Sequence, residues 1–298
     1  MCALRDKRYT ETMHEHHKEI AVLYHGGCPD GFGGAYAAWK KFGDAADYIP
    51  VRYQQPIPLH LEGKEIYLVD VCYDQATMDD LLKKAKTFTV LDHHEGIREV
   101  VESMPNHIYD AERSGASISW NYFHPDTTVP TFLKYVEDAD LFRMIPDDER
   151  AIITYAYAQP WHFDTWDGFV RQVEDTGERA KMVERGSAYQ EYFQLLAYQL
   201  AGSAELVTFE GYTCYLVAGE KMFITELGNQ LRSKRPPLAL IVRAGATGLR
   251  VSIRSDNTVN AAKLAQKYGG NGHPNSAAFS LTWGTPIPWT PIEHDSKS

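Results

Sequence analysis

Short apolar runs alternate with helical periodicity along the first half of the chain. Ala21-Val22-Leu23-Tyr24, Ile66-Tyr67-Leu68-Val69 and Phe88-Thr89-Val90-Leu91 read as strands covered on both faces. A Gly-rich turn after the first leads into a helix through Ala35-Tyr36-Ala37-Ala38-Trp39. After the second, Met78 to Ala85 places apolar residues three and four apart, as one face of a helix requires. Strands alternating with helices predict an α/β fold with a parallel sheet. From Gly168 to Leu206 the pattern is helical, with Met182, Tyr189, Phe193 and Leu196 forming an apolar stripe. A second rhythm follows. Tyr215-Leu216-Val217, Leu238 to Val242, Leu249 to Ile253 and Ala277 to Trp283 read as strands. Phe223 to Leu231 and Asn260 to Tyr268 read as helices.

These runs divide the chain into five stretches. They are a polar leader over 1–18, an N-terminal parallel-sheet domain over 19–165, a helical connector over 166–206, a smaller α/β domain over 207–285, and a tail over 286–298. The tail is expected to be irregular, because its prolines remove ladder donors. The leader contains His14-Glu15-His16-His17, which could chelate a metal; a solvated tail is the preferred reading.

Charge narrows the function classes. Lys and Arg number 30 against 40 Asp and Glu, a net charge of −10. A sequence-independent binder of long duplexes shows a basic face, so the balance argues against one. A local basic pocket for a short anion is still compatible. Apolar runs fall short of the ~18 residues of a membrane span. Met1 to Lys7 carries no apolar signal region, and the four cysteines form no close CxxC pair, which suits a reduced, cytoplasmic enzyme.

The chemistry concentrates after the N-terminal strands. His25-Gly26-Gly27-Cys28-Pro29-Asp30-Gly31 follows the first, Asp70 ends the second, and Asp92-His93-His94 closes the third. Ligands of parallel α/β sheets bind outside the carboxyl ends of the strands. Taken singly, His25 could be a satisfied strand-end histidine and Asp70 a helix cap. Their conjunction points to divalent metal, because imidazoles with carboxylates suit Mn²⁺, Fe²⁺ or Zn²⁺ and carboxylates crowded without a cation repel one another. Two ions ~3.5–4 Å apart can clamp a phosphoryl group. Gly31, Gly33 and Gly34 open the first helix and are expected to let its amides approach a phosphate.

These residues resemble the DHH phosphoesterase superfamily, and its DHH–DHHA1 branch in particular. Asp92-His93-His94 is the string that gives the family its name. Gly269-Gly270-Asn271-Gly272-His273-Pro274 followed by Ala277-Ala278 is similar to the GGGGHxxAAG signature of DHHA1 domains, with Asn271 replacing one glycine. Arg254-Ser255 and Val259-Asn260 match the RS…VN pattern before it. The resemblance implies a cleft between the two domains. It implies two ions, Mn²⁺ first, held by His25, Asp30, Asp70, His93 and Asp138, with Asp140 as an alternative to Asp138. His94 would act on the scissile phosphate and Asp92 would orient an imidazole. Arg254, Ser255, Asn271, Gly272 and His273 would hold the distal end of the substrate.

Two positions add to that carry-over. The family's first motif is commonly HxxxDxD; here it is one residue shorter and Cys28 replaces the first Asp. Cys28 is therefore a further ligand candidate, and a softer ligand shifts preference toward Zn²⁺ or Fe²⁺. A redox pair of Cys28 with Cys72 is conceivable, though two small buried residues explain them better. Arg113, in Glu112-Arg113-Ser114-Gly115-Ala116-Ser117, is a weaker candidate for a substrate phosphate.

The resemblance and the acidic charge together lead to one expectation. The chain hydrolyses linear dinucleotides such as pGpG, the opened product of cyclic-di-GMP, or very short oligoribonucleotides, as nanoRNases do, and releases mononucleotides. Alternatives are a cyclic-dinucleotide or 3′-phosphoadenosine phosphate hydrolase, a pyrophosphatase or polyphosphatase, and a non-catalytic nucleotide sensor. Long duplexes and membranes are not expected as partners, and a homodimer is left open.

Overall fold

Alternation within each short strand decides which side of the sheet it packs. In the structure, a computed structural model, residues 18–52, 55–141, 143–256 and 258–292 are described; the histidines at 14, 16 and 17 lie outside them. The chain divides into two units, Met1–Tyr189 and Gln190–Ser298.

In chain order the first unit comprises β1 (Ile20–His25), α1 (Pro29–Phe42), β2 (Ala46–Val51), β3 (Glu65–Val69), α2 (Gln75–Lys84), β4 (Thr87–Asp92), α3 (Arg98–Glu102) and β5 (His107–Tyr109). Then follow α4 (Gly115–Phe123), α5 (Thr131–Asp140), α6 (Asp147–Tyr157), α7 (Phe163–Glu174) and α8 (Thr176–Ala201), the last running on into the second unit. The sheet has the order β2-β1-β3-β4-β5 and every pair is parallel. Its centre is therefore the three strands legible in the sequence. Val22, Tyr24, Val69 and Leu91 face one layer with α1, α4, α5 and α7. Ala21, Leu23, Ile66, Leu68, Phe88 and Val90 face the other, with α2 and α3. Burying each of the larger aliphatic side chains stabilises the fold by ~1.5–3 kcal/mol. Phe32 adds ring contacts to Phe163 and Trp166 at centroid distances of 5.0 and 4.9 Å.

Two differences from the sequence reading concern this unit. The edge strands β2 and β5 were not expected; β2 carries Pro50, which an edge tolerates. The expected connector is also partly core: Trp166, Phe169 and Val173 of α7 and Met182 of α8 are buried in the first unit's helical layer.

The second unit comprises β6 (Glu205–Phe209), β7 (Tyr212–Ala218), α9 (Ile224–Lys234), β8 (Leu238–Gly245), β9 (Gly248–Ser255), α10 (Ala261–Gln266), β10 (Asn271–His273), β11 (Ser276–Thr282) and β12 (Trp289–Pro291). Its sheet runs β10-β11-β9-β8-β7-β6-β12. Only β7 and β8 pair in parallel, joined through α9; the other pairs are antiparallel. Leu238 and Leu240 turn to the α10 side, while Ala239 and Ile241 turn to the α9 side. Phe193 of α8 stacks on Phe223 at 4.8 Å. The tail expected to be irregular contributes β12, which pairs with β6 at the sheet edge. Among the described residues no helix is long and apolar enough to cross a membrane.

Candidate metal centre

Each strand end delivers one part of a common cluster. His25 is the last residue of β1, and Asp92 the last of β4. Asp70 follows β3 with φ of 56°. A non-glycine residue in this left-handed region is held at a cost of ~1–3 kcal/mol, and such residues gather at functional sites. The Asp70 amide donates to Leu91 O at 2.9 Å, which fixes the turn beside β4.

Asp30 arrives differently. Pro29 occupies the first turn of α1, where its fixed φ is preorganised for a helix, and Asp30 follows it at the positive end of the helix. Its buried carboxylate accepts from Gly115 N at 2.6 Å and Ala116 N at 2.9 Å. Those amides open α4, so Asp30 sits between two helix N-termini. Gly115 makes this approach feasible: a Cβ there would lie 2.7 Å from Asp70 Cβ and 2.9 Å from Asp30 Oδ2.

His93 is the centre of the cluster. Its Nε2 lies 3.3 Å from Asp70 Oδ1, 3.5 Å from Asp140 Oδ2 and 3.7 Å from Asp30 Oδ2. His25 Nδ1 lies 3.2 Å from Asp70 Oδ2. Asp92 is fully buried, and its Oδ1 accepts from the amides of His93 and His94 at 2.7 and 2.9 Å. The same oxygen lies 2.9 Å from His94 Nδ1, leaving Nε2 of that half-exposed ring free. Three sets of donor atoms converge within 4.8 Å: His25, Cys28 and Asp70; Asp70, His93 and His94; and Asp30, His93 and Asp140.

The electrostatics describe a site short of positive charge. Burial, then the charges of Asp70 and Asp140, push the Asp30 carboxyl up to about 8. Burial and Asp70 raise Asp140 as well. Burial acts the same way on Asp70, but His25 and His93 against it prevail and hold its carboxylate below the usual range. Burial opposes the charged form of His93, and Asp70 and Asp30 outweigh it. The hydrogen bond with Asp92 is the main cause that raises His94 to about 9. The Cys28 thiol is pushed far up, first by burial and then by Asp70. Asp70 Oδ1 and His93 Nε2 are buried without a hydrogen-bond partner among the described residues. Buried polar atoms left in this way are costly. A divalent cation would satisfy both and relieve the carboxylate crowding, and the N, O and S donors present fit Mn²⁺, Fe²⁺ or Zn²⁺.

Several expected residues are placed elsewhere. Asp138 stands away from the cluster, its Oδ1 accepting from Arg143 Nη1 at 2.9 Å; Asp140 is the aspartate of α5 that reaches His93. Arg113 donates through Nε to Glu137 at 2.8 Å, an internal ion pair rather than a free phosphate ligand. Gly31, Gly33 and Gly34 are packing positions, not a phosphate cradle. Added Cβ atoms would meet His25 O at 2.5 Å, Ala116 Cβ at 2.8 Å and Val69 Cγ1 at 2.2 Å respectively. Cys72 is buried, a free thiol donating to Tyr73 O at 3.4 Å.

Two residues of this region went unread in the sequence. Glu137 is buried and accepts from Arg113, from Ser114 N at 3.2 Å and from Arg143 Nη1 at 3.1 Å, anchoring the turn that opens α4. The phenol of Tyr157, at the end of α6, is held well above its ordinary range by burial and by the nearby Asp30, Cys28 and Asp140.

In the second unit, the register aligns Arg254 of β9, Ser276 of β11 and His273 of β10 across three strands. Arg254 rests over Gly228, where a Cβ would lie 2.3 Å from its Cγ. Its guanidinium donates to Ile253 O at 3.1 Å, and burial lowers its pKa. Asn271 and His273 are exposed, and Asn271 Oδ1 accepts from Gly272 N at 2.8 Å. Gly272 has φ of 150° and lies against Ala277, which a side chain would strike. Ser255 is committed internally: its hydroxyl donates to Pro274 O at 3.1 Å.

No family model matches the chain. It is 27% identical over 287 residues to the uncharacterized protein R106 of Acanthamoeba polyphaga mimivirus, covering 88% of this chain and 67% of that one. Among solved structures, the DHH domain of a protein assigned to a family of ribosomal proteins superposes with a TM-score of 0.58 at 13% identity. The match covers 88% of this chain and 82% of that one. The pGpG-specific phosphodiesterase PggH of Vibrio cholerae gives 0.51 at 15% identity, covering 89% and 94%. An exopolyphosphatase-related protein of Bacteroides fragilis also gives 0.51 at 15% identity, covering 90% and 88%. At these identities the likeness is one of architecture, and the chain has the fold of DHH-domain proteins.

Proposed function

We propose that the chain is a divalent-metal-dependent phosphoesterase that hydrolyses linear dinucleotides such as pGpG, or very short oligoribonucleotides, to mononucleotides. The observation that carries the reading is the convergence of His25, Asp30, Asp70, His93 and Asp140 around two buried, unpartnered donor atoms, Asp70 Oδ1 and His93 Nε2. Those five side chains would hold the metal, with Mn²⁺ the first candidate. Bound there, it supplies Lewis acidity toward a phosphoryl oxygen and brings the pKa of water toward ~7.

The chain's own groups divide the remaining work. Asp92 fixes the backbone of His93 and His94 and holds a proton on His94 Nδ1. The charged ring then presents Nε2–H to an anionic phosphoryl oxygen and stabilises the charge that develops as the ester bond breaks. Arg254 and His273, aligned in register on the second unit, are the groups there that would bind an anionic part of the substrate. The substrate class is supported by the named activity of the V. cholerae protein that shares this fold and by the net charge of −10, which disfavours a long strand.

The test is a time course with Mn²⁺ on pGpG, pApA, a five-nucleotide RNA, cyclic-di-GMP, cyclic-di-AMP, 3′-phosphoadenosine phosphate, pyrophosphate and a polyphosphate chain, products being separated by chromatography. Mononucleotides from linear dinucleotides, with cyclic forms intact, support the proposal. Turnover confined to pyrophosphate or polyphosphate overturns the substrate, and no turnover with any divalent metal overturns the enzyme.

A further inference from the structure

The donor sets of the metal centre are chemically unequal. Asp30, His93 and Asp140 offer two oxygens and a nitrogen, whereas His25, Cys28 and Asp70 offer a nitrogen, a sulfur and an oxygen. Cys28 occupies the N-cap of α1, yet its side chain makes no capping hydrogen bond. Ser, Thr, Asp or Asn would serve that position better, so capping does not account for the thiol. Its sulfur instead converges with donor atoms of His25 and Asp70.

The neighbouring groups supply a second, independent observation. Asp70 is 2% exposed; its Oδ2 lies 3.2 Å from His25 Nδ1, and its Oδ1, on the His93 side, has no hydrogen-bond partner among the described residues. Zn–S and Zn–N bonds of ~2.0–2.3 Å place any two ligands of one ion within ~4.6 Å. The donor atoms of His25, Cys28 and Asp70 already lie within 4.8 Å of one another. Soft thiolate selects zinc and iron, and carboxylate suits manganese and magnesium.

We propose that Cys28 is a metal ligand, and that with His25 and Asp70 it forms a thiophilic position for Zn²⁺ or Fe²⁺ beside a harder position formed by Asp30, His93 and Asp140. The centre is then built to hold two different cations. This rests on the metal reading above and assigns the metals that the reading leaves open.

Cobalt(II) reports both parts of the claim in the full-length protein. Metal-free protein is titrated with Co²⁺ and followed in the visible range for d–d bands and in the near ultraviolet for thiolate-to-cobalt charge transfer. Wild type is expected to show both. Cys28→Ser keeps the d–d bands and loses the charge-transfer band, while Cys72→Ala and Cys214→Ala keep it. Competition with Zn²⁺ and Mn²⁺ adds a second reading. Cys28→Asp should lower the preference for Zn²⁺ over Mn²⁺ at that position by at least about tenfold, a loss that even an outer-shell change can bring. Circular dichroism verifies that each variant is folded.

A charge-transfer band that survives Cys28→Ser, or d–d bands without charge transfer in saturated wild type, overturns the thiolate ligand and leaves the phosphoesterase reading intact. Cobalt that does not bind at all overturns both. Hydrolysis without any thiolate signature, or a thiolate signature without hydrolysis, separates the failure of one from the failure of the other.

Discussion

A single methyl group added at Gly115 tests whether the opening of α4 sets the geometry of the metal centre. In Gly115→Ala the new Cβ would stand 2.7 Å from Asp70 Cβ and 2.9 Å from Asp30 Oδ2, with Asp70 Cα at 3.3 Å. Ordinary carbon contacts lie near 3.4 Å and beyond, so Asp70 must retreat by about 0.7 Å. Metal ligands tolerate only ~0.2 Å. The displacement also falls on the one side chain that every nearby histidine contacts. Overpacking a core costs ~1–3 kcal/mol, and replacing glycine by alanine in a helix returns ~0.4–1 kcal/mol. The net loss of stability is therefore about 0–2.6 kcal/mol, or a fall of at most ~10 °C in Tm at ~2–4 °C per kcal/mol. The loss of function should be far larger, since a misplacement of ~1 Å costs ~10²-fold in rate. The assay pairs calorimetric Mn²⁺ binding and pGpG turnover with a thermal melt. Gly168→Ala is the control, because nothing lies within 4 Å of its added Cβ. Unchanged metal affinity in a folded Gly115→Ala protein would refute the reasoning, since Asp70 would then be free to move without consequence for the site.

Other expected outcomes follow from the same geometry. Glu137→Ala removes a buried acceptor shared by Arg113 and Arg143, whose side chains are 34% and 40% exposed. Breaking a buried pair costs ~3–5 kcal/mol, and solvent screening of these arginines reduces that to about 2–3 kcal/mol, measurable by urea unfolding; a loss below ~1 kcal/mol would show that the network is not an anchor. His94→Ala should remove at least ~10²-fold in kcat while Mn²⁺ still binds, and near-normal turnover would strip His94 of its role. His273→Ala should slow dinucleotide hydrolysis much more than hydrolysis of a minimal chromogenic phosphodiester, and equal losses would exclude a contact with the distal end. The pH dependence has a definite sign. Asp30 and His94 are raised to about 8 and about 9, so the folded, metal-free protein binds more protons than the unfolded chain and loses stability as pH rises through those values. Melts of chelator-treated protein should therefore show Tm falling between pH 7 and pH 9.5, and Mn²⁺ should restore most at the alkaline end; a flat or rising Tm would contradict the proton assignment.

What the sequence made legible was set by local rules. β1, β3 and β4 announce themselves because strands buried on both faces need unbroken apolar runs. The consequence that three His and Asp clusters share one edge followed from their being parallel. β2, β5 and β12 are edge strands of three to six residues, and each interrupts its apolar pattern with polar residues or proline. Such strands are defined by the neighbour they pair with, which a local pattern does not contain. The glycines of α1 were misread for a related reason. Close packing against β1, β3 and α4 and a phosphate cradle both call for the absence of a Cβ, and only the tertiary partners distinguish them.

The choice between Asp138 and Asp140 was a different kind of error, because the information was present. On α5 the buried residues are Phe132, Leu133, Tyr135, Val136 and Glu137. An α-helix returns to the same face every three or four residues, so the stripe through Leu133 and Val136–Glu137 continues at Asp140 and leaves Asp138 about 160° round the helix from Asp140. Matching the motif by its letters favoured Asp138; applying the period of the helix to the same letters selects Asp140. Physical placement agrees with the period. Asp138 finds a partner in Arg143, near the surface, while Asp140 stands beside His93 with its carboxyl raised by burial and by Asp70. Glu137, three residues before Asp140, belongs to the same inward stripe and could have been picked out by that rule. A carboxylate on the apolar face of a helix must have a partner, and here Arg113, Ser114 N and Arg143 provide it. The stripe thus carries both the aspartate that faces the metal centre and the glutamate that holds the turn gripping Asp30. One helix face couples the two sides of the site, so a substitution that rotates or loosens α5 should disturb the Asp30 and Asp140 donors together rather than singly.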